Sequence, residues 1–231
     1  MSMVVTPLLV LLNEKVIKPR FFSKKDTREF DVAAEQDTPV IVAGFGRVGQ
    51  VVGRMLNAKK IAFTAMDASP EHIDFIKKFG NKVFYGDASR LDLLRAARAD
   101  KAKIFVLAVD DMEASVKIAE TVQQHFPHLT IFARARNRQH AYKLMALGIK
   151  HVMRETFLSS LEMTGDILEE LGLTWTEAHN AMERFRQYDE QLLEQNFKFA
   201  GDIKELQARA NASRDELEKL FDSDTKTKKS A

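Results

Sequence analysis

The chain contains no cysteine. Disulfides, thiolate metal sites and a catalytic thiol are therefore excluded, and any redox sensing must be non-covalent or borrowed from a partner. The absence fits a cytoplasmic setting. An excess of one charge is also missing: 35 Lys and Arg stand against 33 Asp and Glu. That balance argues against a dedicated nucleic-acid binder, which carries a basic face. There is no long hydrophobic run. The apolar start, MSMVVTPLLVLL at residues 1–12, falls short of the about 20 residues that a membrane span needs. It lacks the basic beginning and small-residue cleavage site of a signal peptide. No G-x-S-x-G occurs, the six histidines have no third donor at metal-ligand spacing, and no acid–base pair sits in a separate substrate domain. What is present is ordinary for a globular protein: 45% hydrophobic residues in 231, enough for one domain with a sizeable core plus an appendage.

The organising stretch is PVIVAGFGRVGQVVGRML, residues 39–56. A short apolar run is followed by Gly44, Gly46 and Gly49 in the spacing G-x-G-x-x-G, then by an apolar helical pattern through Val48, Val51, Val52, Met55 and Leu56. The first glycine permits the turn, the second lets a pyrophosphate approach the backbone, and the third lets helix pack on strand. The N–H groups at the helix start, through Arg47 and Val48, favour a phosphate. Asp67 ends the next apolar run, 61–66, where a carboxylate can accept from a ribose diol. No Lys or Arg follows in Asp67-Ala68-Ser69-Pro70, so a 2′-phosphate has no obvious partner.

Strand-like segments at 40–43, 61–66, 82–85, 104–109, 130–133 and 151–153 alternate with helix-like segments at 48–57, 70–79, 90–97, 113–125 and 139–147. Pro70 suits a first helical turn, and Gly80 and Gly148 stand where helix C-caps are expected. This alternation predicts a Rossmann-like α/β fold: a six-stranded parallel sheet with helices on both faces. Strands stop after Arg154. Helices are predicted at 157–171, at 176–199 with Thr174 as N-cap, and from 201 or 202 to 221. Their narrow apolar stripes need another surface to pack on. The expected organisation is thus a nucleotide-binding domain at 39–154, a helical dimerisation or peripheral extension at 155–222, and a disordered tail at 223–231. Residues 27–38 read as a polar linker. Lys15, Lys18, Arg20, Lys24 and Lys25 follow the apolar start, the pattern of a membrane helix at its cytoplasmic exit. Residues 1–26 are accordingly expected to be the end of a last membrane span of a larger protein, the alternative being a buried or partner-bound N-terminus.

Further candidates lie at the carboxyl ends of the strands, the edge where open α/β sheets bind ligands. In Gly86-Asp87-Ala88-Ser89, Asp87 is placed to accept an adenine amino group, or to cap the next helix. Ala108 and Val109 are candidate walls against the base. Asp110 and Asp111 form a possible metal pair, although adjacent aspartates before a helix more often cap and turn. Of Arg134 and Arg136, one is placed to reach a nucleotide phosphate and the other suits an anionic ligand or a salt bridge.

The segments VIVAGFGRVGQ, KKFGNKVFYGDASR, HFPHLTIFARARN and RETFLSSLEMTGDILEELGL together resemble the cytoplasmic regulatory domain, called KTN or RCK, of Kef-type glutathione-gated potassium efflux systems. The resemblance covers about residues 1–200 and includes a start similar to the end of the antiporter's last membrane helix. It implies a non-enzymatic homodimer at the cytoplasmic face of the inner membrane, tethered to an upstream transmembrane antiporter domain. AMP or NAD(H) would sit in the Rossmann crevice. Glutathione would hold the system shut and its adducts would open it, from a pocket between subunits onto which Arg54, Phe79, Arg154 and Asp189 map. Asp189 stands where the family uses asparagine. An ancillary oxidoreductase subunit is a possible further partner. The rival readings are a soluble NAD-dependent oxidoreductase and a stand-alone regulatory subunit of a potassium uptake system.

Overall fold

The computed structural model describes residues 37–69 and 83–200, with backbone alone at 83–85, and scattered positions between 205 and 217. The expectations for residues 1–36, for the helix at 70–79 with Pro70, Phe79 and Gly80, and for the tail lie outside the described residues. So does most of the helix expected at 201–221.

Six strands form one parallel sheet: β1 (Val40–Ala43), β2 (Phe63–Asp67), β3 (Val83–Tyr85), β4 (Ile104–Leu107), β5 (Thr130–Ala135) and β6 (His151–Arg154). Their order is β3-β2-β1-β4-β5-β6. The described helices are α1 (Arg47–Ala58), α2 (Leu91–Ala96), α3 (Met112–His125), α4 (Arg138–Ala146), α5 (Phe157–Glu170) and α6 (Trp175–Phe197). Both faces of the sheet are covered, so β1 is buried along its whole length. Its period-two alternation sends Ile41 and Ala43 into a large core with α2, α3 and α4. Val40 and Val42 enter a smaller core with Phe45, Ala65 and the inner side of α1.

Three strand boundaries differ from the sequence expectation by two residues. β2 starts at Phe63, not 61, because Lys60 turns with φ 57° and the Ile61 N–H bonds back to Leu56 at the end of α1. β4 stops at Leu107, leaving Ala108 and Val109 at its exit. β5 runs on to Ala135 because Ala135 pairs with Arg154 of the edge strand. After β6, α6 begins with a reciprocal cap, Thr174 accepting from the Glu177 N–H and Glu177 from the Thr174 N–H. Gly165 of α5 lies so close to α6 that a side chain there would overlap Met182.

Candidate functional site

The strand order reverses between β1 and β4, and their carboxyl ends part to leave a crevice. Its volume is about 400 Å3. Gly44, Gly46, Asp67, Asp87, Ala88, Ala108 and Val109 all line it, together with Asp110 and Asp111. The glycine turn has the shape that sequence spacing requires. Gly44 has φ +86°, and a Cβ there would stand 2.7 Å from the Ala108 carbonyl carbon, so both conformation and space demand glycine. A Cβ on Gly49 would overlap the Gly44 carbonyl oxygen, which is the close packing of helix on strand. Gly46 is different, because a Cβ there meets nothing within 4 Å. The fold itself does not need glycine at 46, but a ligand pressed against the backbone would.

Asp67 is buried and ties the turn to β2. Its Oδ2 accepts the Phe45 N–H at 2.7 Å and its Oδ1 accepts the Ser69 N–H at 2.8 Å. Asp67 also lines the crevice, where a carboxylate can accept from a ribose diol. α1 begins at Gly46 with no side-chain cap and no acidic residue in its first turn. Its first N–H groups, including those of Arg47 and Val48, thus suit an anion. The size, the acceptor and the uncapped helix fit an adenine nucleotide. Bound there, the nucleotide would supply a phosphate charge to the α1 N-terminus.

Asp87 does not cap a helix, in contrast to one expectation. It accepts from the N–H and hydroxyl of Ser89 in a local turn, and the residue before α2 is Arg90. Ser89 competes successfully for the carboxylate. Asp111 does cap, accepting from Ala114 N–H at 2.8 Å. Asp110 pairs with Arg134, which lowers its pKa, chiefly through their hydrogen bond. Among the described residues no group of three His, Cys, Asp or Glu could hold a metal.

Arg134 lies behind the crevice, not in it. Its side chain is 7% exposed and also pairs with Glu155. Burial pushes its pKa down, but Glu155 and Asp110 outweigh burial and raise it. Glu155 in turn pairs with Arg47 at 3.0 Å. Arg136 is exposed, its N–H held by the buried His140 ring. The sequence reading singled out neither Glu155 nor Gly53, where a Cβ would approach the Phe45 ring to 2.6 Å.

Of the residues mapped to a tripeptide pocket, two meet. Asp189 of α6, 6% exposed, bridges Arg154 of β6 and Arg138 of α4. The Arg154 guanidinium lies over the Phe157 ring, 3.9 Å from its centre. Arg54 is exposed on α1, across the sheet from Arg154, so one chain does not bring these two arginines together. A second cavity, of about 580 Å3, lies between α5 and α6, walled by Phe157, Leu161, Leu168, Leu173, Met182 and Phe185.

Comparison with known proteins agrees with this geometry. The TrkA-N domain family matches residues 40–155, just over half of the chain. The chain belongs to the TrkA-N domain family. Residues 159–231 match a second family, the potassium efflux system KefB C-terminal domain. Glutathione-regulated potassium-efflux system protein KefC of Salmonella arizonae is 41% identical over 202 residues, and that of Escherichia coli 39% over 204. These alignments take in 87% and 88% of this chain but 32% of each relative, so the chain spans about a third of their length. The Shewanella denitrificans Kef C-terminal domain, solved in an AMP-bound form, is 42% identical with a TM-score of 0.64. It covers 69% of this chain, and the match takes in 98% of that structure. The TrkA-N domain of the Escherichia coli inner membrane protein YbaL shares the fold at 22% identity, with a TM-score of 0.51, over 60% of this chain and 99% of its own. The TrkA-N chain is thus similar to the regulatory part of Kef-type potassium efflux proteins. Among the described residues no helix is long and apolar enough to cross a membrane.

Proposed function

We propose that this chain is a ligand-sensing regulatory domain of a potassium efflux system, joined to a membrane antiporter domain and working at the cytoplasmic face of the inner membrane. It binds an adenine nucleotide, AMP or NAD(H), in the β1–β4 crevice through the glycine turn, Asp67 and the crevice walls. The nucleotide is a bound regulator or structural ligand and is not turned over. The chain dimerises, and glutathione or its adducts bind between subunits at Arg54, Phe79, Arg154 and the Asp189 region. An ancillary oxidoreductase subunit fits the same reading.

The observation that carries the proposal is Gly46. It is a glycine with open space at its Cβ position, at the uncapped start of α1, beside a buried ribose acceptor. The likeness to an AMP-bound Kef domain supports it. The test is Gly46→Ala. The added methyl leaves the empty fold undisturbed but stands where a phosphate must approach. Calorimetry should show weakened AMP and NADH binding with an unchanged melting temperature. Unchanged affinity in the folded variant would refute the crevice assignment.

A further inference from the structure

The described lining of the crevice is one-sided. Its lining comes from the ends of β1, β2 and β4, the β3–α2 connection and the start of α3, with nothing from β5, β6 or α4. On that side four charged residues are joined in a row. Asp110 pairs with Arg134, which also donates to the Ala108 carbonyl at 3.2 Å. Arg134 pairs with one oxygen of Glu155, and the other oxygen pairs with Arg47 at 3.0 Å. The row leads from the exit of β4, across β5, to the residue after β6, and back to the first residue of α1. Its two middle side chains, Arg134 and Glu155, are 7% and 15% exposed.

At a switch point, a dinucleotide lies across the crevice, with one half over the strands on each side. Here the second half would have to lie over β4, β5 and β6, where the row stands. To enter, it must displace the row, and separating Glu155 from Arg134, side chains 15% and 7% exposed, leaves an uncompensated buried charge. A mononucleotide ends at the start of α1 and leaves the row intact. Arg47, a cation at a helix N-terminus and so poorly placed with respect to the helix dipole, then faces the terminal phosphate.

We propose that the Asp110–Arg134–Glu155–Arg47 row is the specificity element of the crevice, with Glu155 as its closing residue: it admits an adenine mononucleotide and excludes the distal half of a dinucleotide. This rests on the nucleotide reading above.

Calorimetric titration of the full chain with AMP, ADP-ribose and NAD tests it. The unaltered chain should bind AMP at least about tenfold more tightly than NAD, about 1.4 kcal/mol. Glu155→Ala and Glu155→Gln should narrow that ratio by strengthening ADP-ribose and NAD. A general change in electrostatics predicts the opposite. AMP carries more negative charge than NAD, so loss of a nearby carboxylate would favour AMP and widen the ratio. Arg47→Ala cuts the row at a side chain 80% exposed, where folding is not at risk; because Arg47 also faces the phosphate, the readout there is absolute, and ADP-ribose and NAD should bind more tightly than to the unaltered chain even as AMP weakens. A ratio that widens or stays constant in folded variants overturns the proposal, as does equal affinity in the unaltered chain. If AMP itself does not bind the unaltered chain, the nucleotide reading fails and takes this proposal with it. AMP binding with an unresponsive ratio sinks the proposal alone.

Discussion

The Asp67 carboxylate accepts the Phe45 N–H at 2.7 Å, across 22 residues of sequence. One side chain therefore both holds the glycine turn against β2 and presents an acceptor to the crevice. Asp67→Ala should lower stability, by about 1.5–3 kcal/mol for hydrogen bonds to a charged group. It should also weaken AMP more than 2′-deoxy-AMP. Chemical denaturation reads the first effect and calorimetry the second. Equal losses for the two nucleotides would remove Asp67 from the ribose site.

Asp189 pairs with both Arg154 and Arg138. Asp189→Asn should make those guanidiniums available and raise affinity for glutathione and its adducts. It should also loosen α6 and lower the melting temperature, because a buried ion pair is lost. Arg154→Ala should weaken both ligands together. If Asp189→Asn altered neither binding nor melting, the ion cluster would be incidental to both.

The outer side of α5 carries Met163, Ile167 and Leu171, exposed by 59%, 49% and 74%, near an apolar cavity between α5 and α6. A surface of that kind is expected to meet another one. Ile167→Glu combined with Leu171→Glu should convert a dimer to a monomer in light scattering without unfolding the Rossmann core. A persistent dimer would place the subunit contact elsewhere.

His140 is fully buried, with Nδ1 accepting the Arg136 N–H. Burial pushes its pKa below 6.5, helped by Lys143 and Arg134 and opposed by Asp111. The unfolded chain therefore takes up the proton first. The stability that His140 contributes is complete above pH 6.5 and is lost as pH falls from there toward the folded value, with a limiting slope of about 1.4 kcal/mol per pH unit. His140→Leu should flatten that part of a denaturation-versus-pH curve. An unchanged slope would assign the acid sensitivity to other groups.

The sequence made the glycine turn, Asp67 and the β–α alternation legible because each is a local pattern. A turn, a period of two and a period of 3.6 can be read within a short window. The row of charges could not be read that way. Arg134 pairs with residues 24 and 21 positions away, and no spacing rule connects them. Arg134 and Arg136 looked alike as neighbours on one segment, yet β5 ends between them at Ala135, leaving one buried and one in solvent. Asp87 stood between an adenine acceptor and a helix cap, because the competing Ser89 hydroxyl is a matter of geometry, not of residue type. Arg138 was passed over because its partner, Asp189, lies 51 residues further on.

Arg154 is the last residue of β6 and Glu155 the first after it, and the two hold different partners. Arg154 is held by Asp189 of α6, Glu155 by Arg134 and Arg47 beside the crevice. β6 is the outermost strand, hydrogen-bonded to β5 alone. A single peptide unit thus joins the residue beside the nucleotide crevice to the residue that holds the long C-terminal helix. Only the two dihedrals that flank that planar amide separate the two attachments.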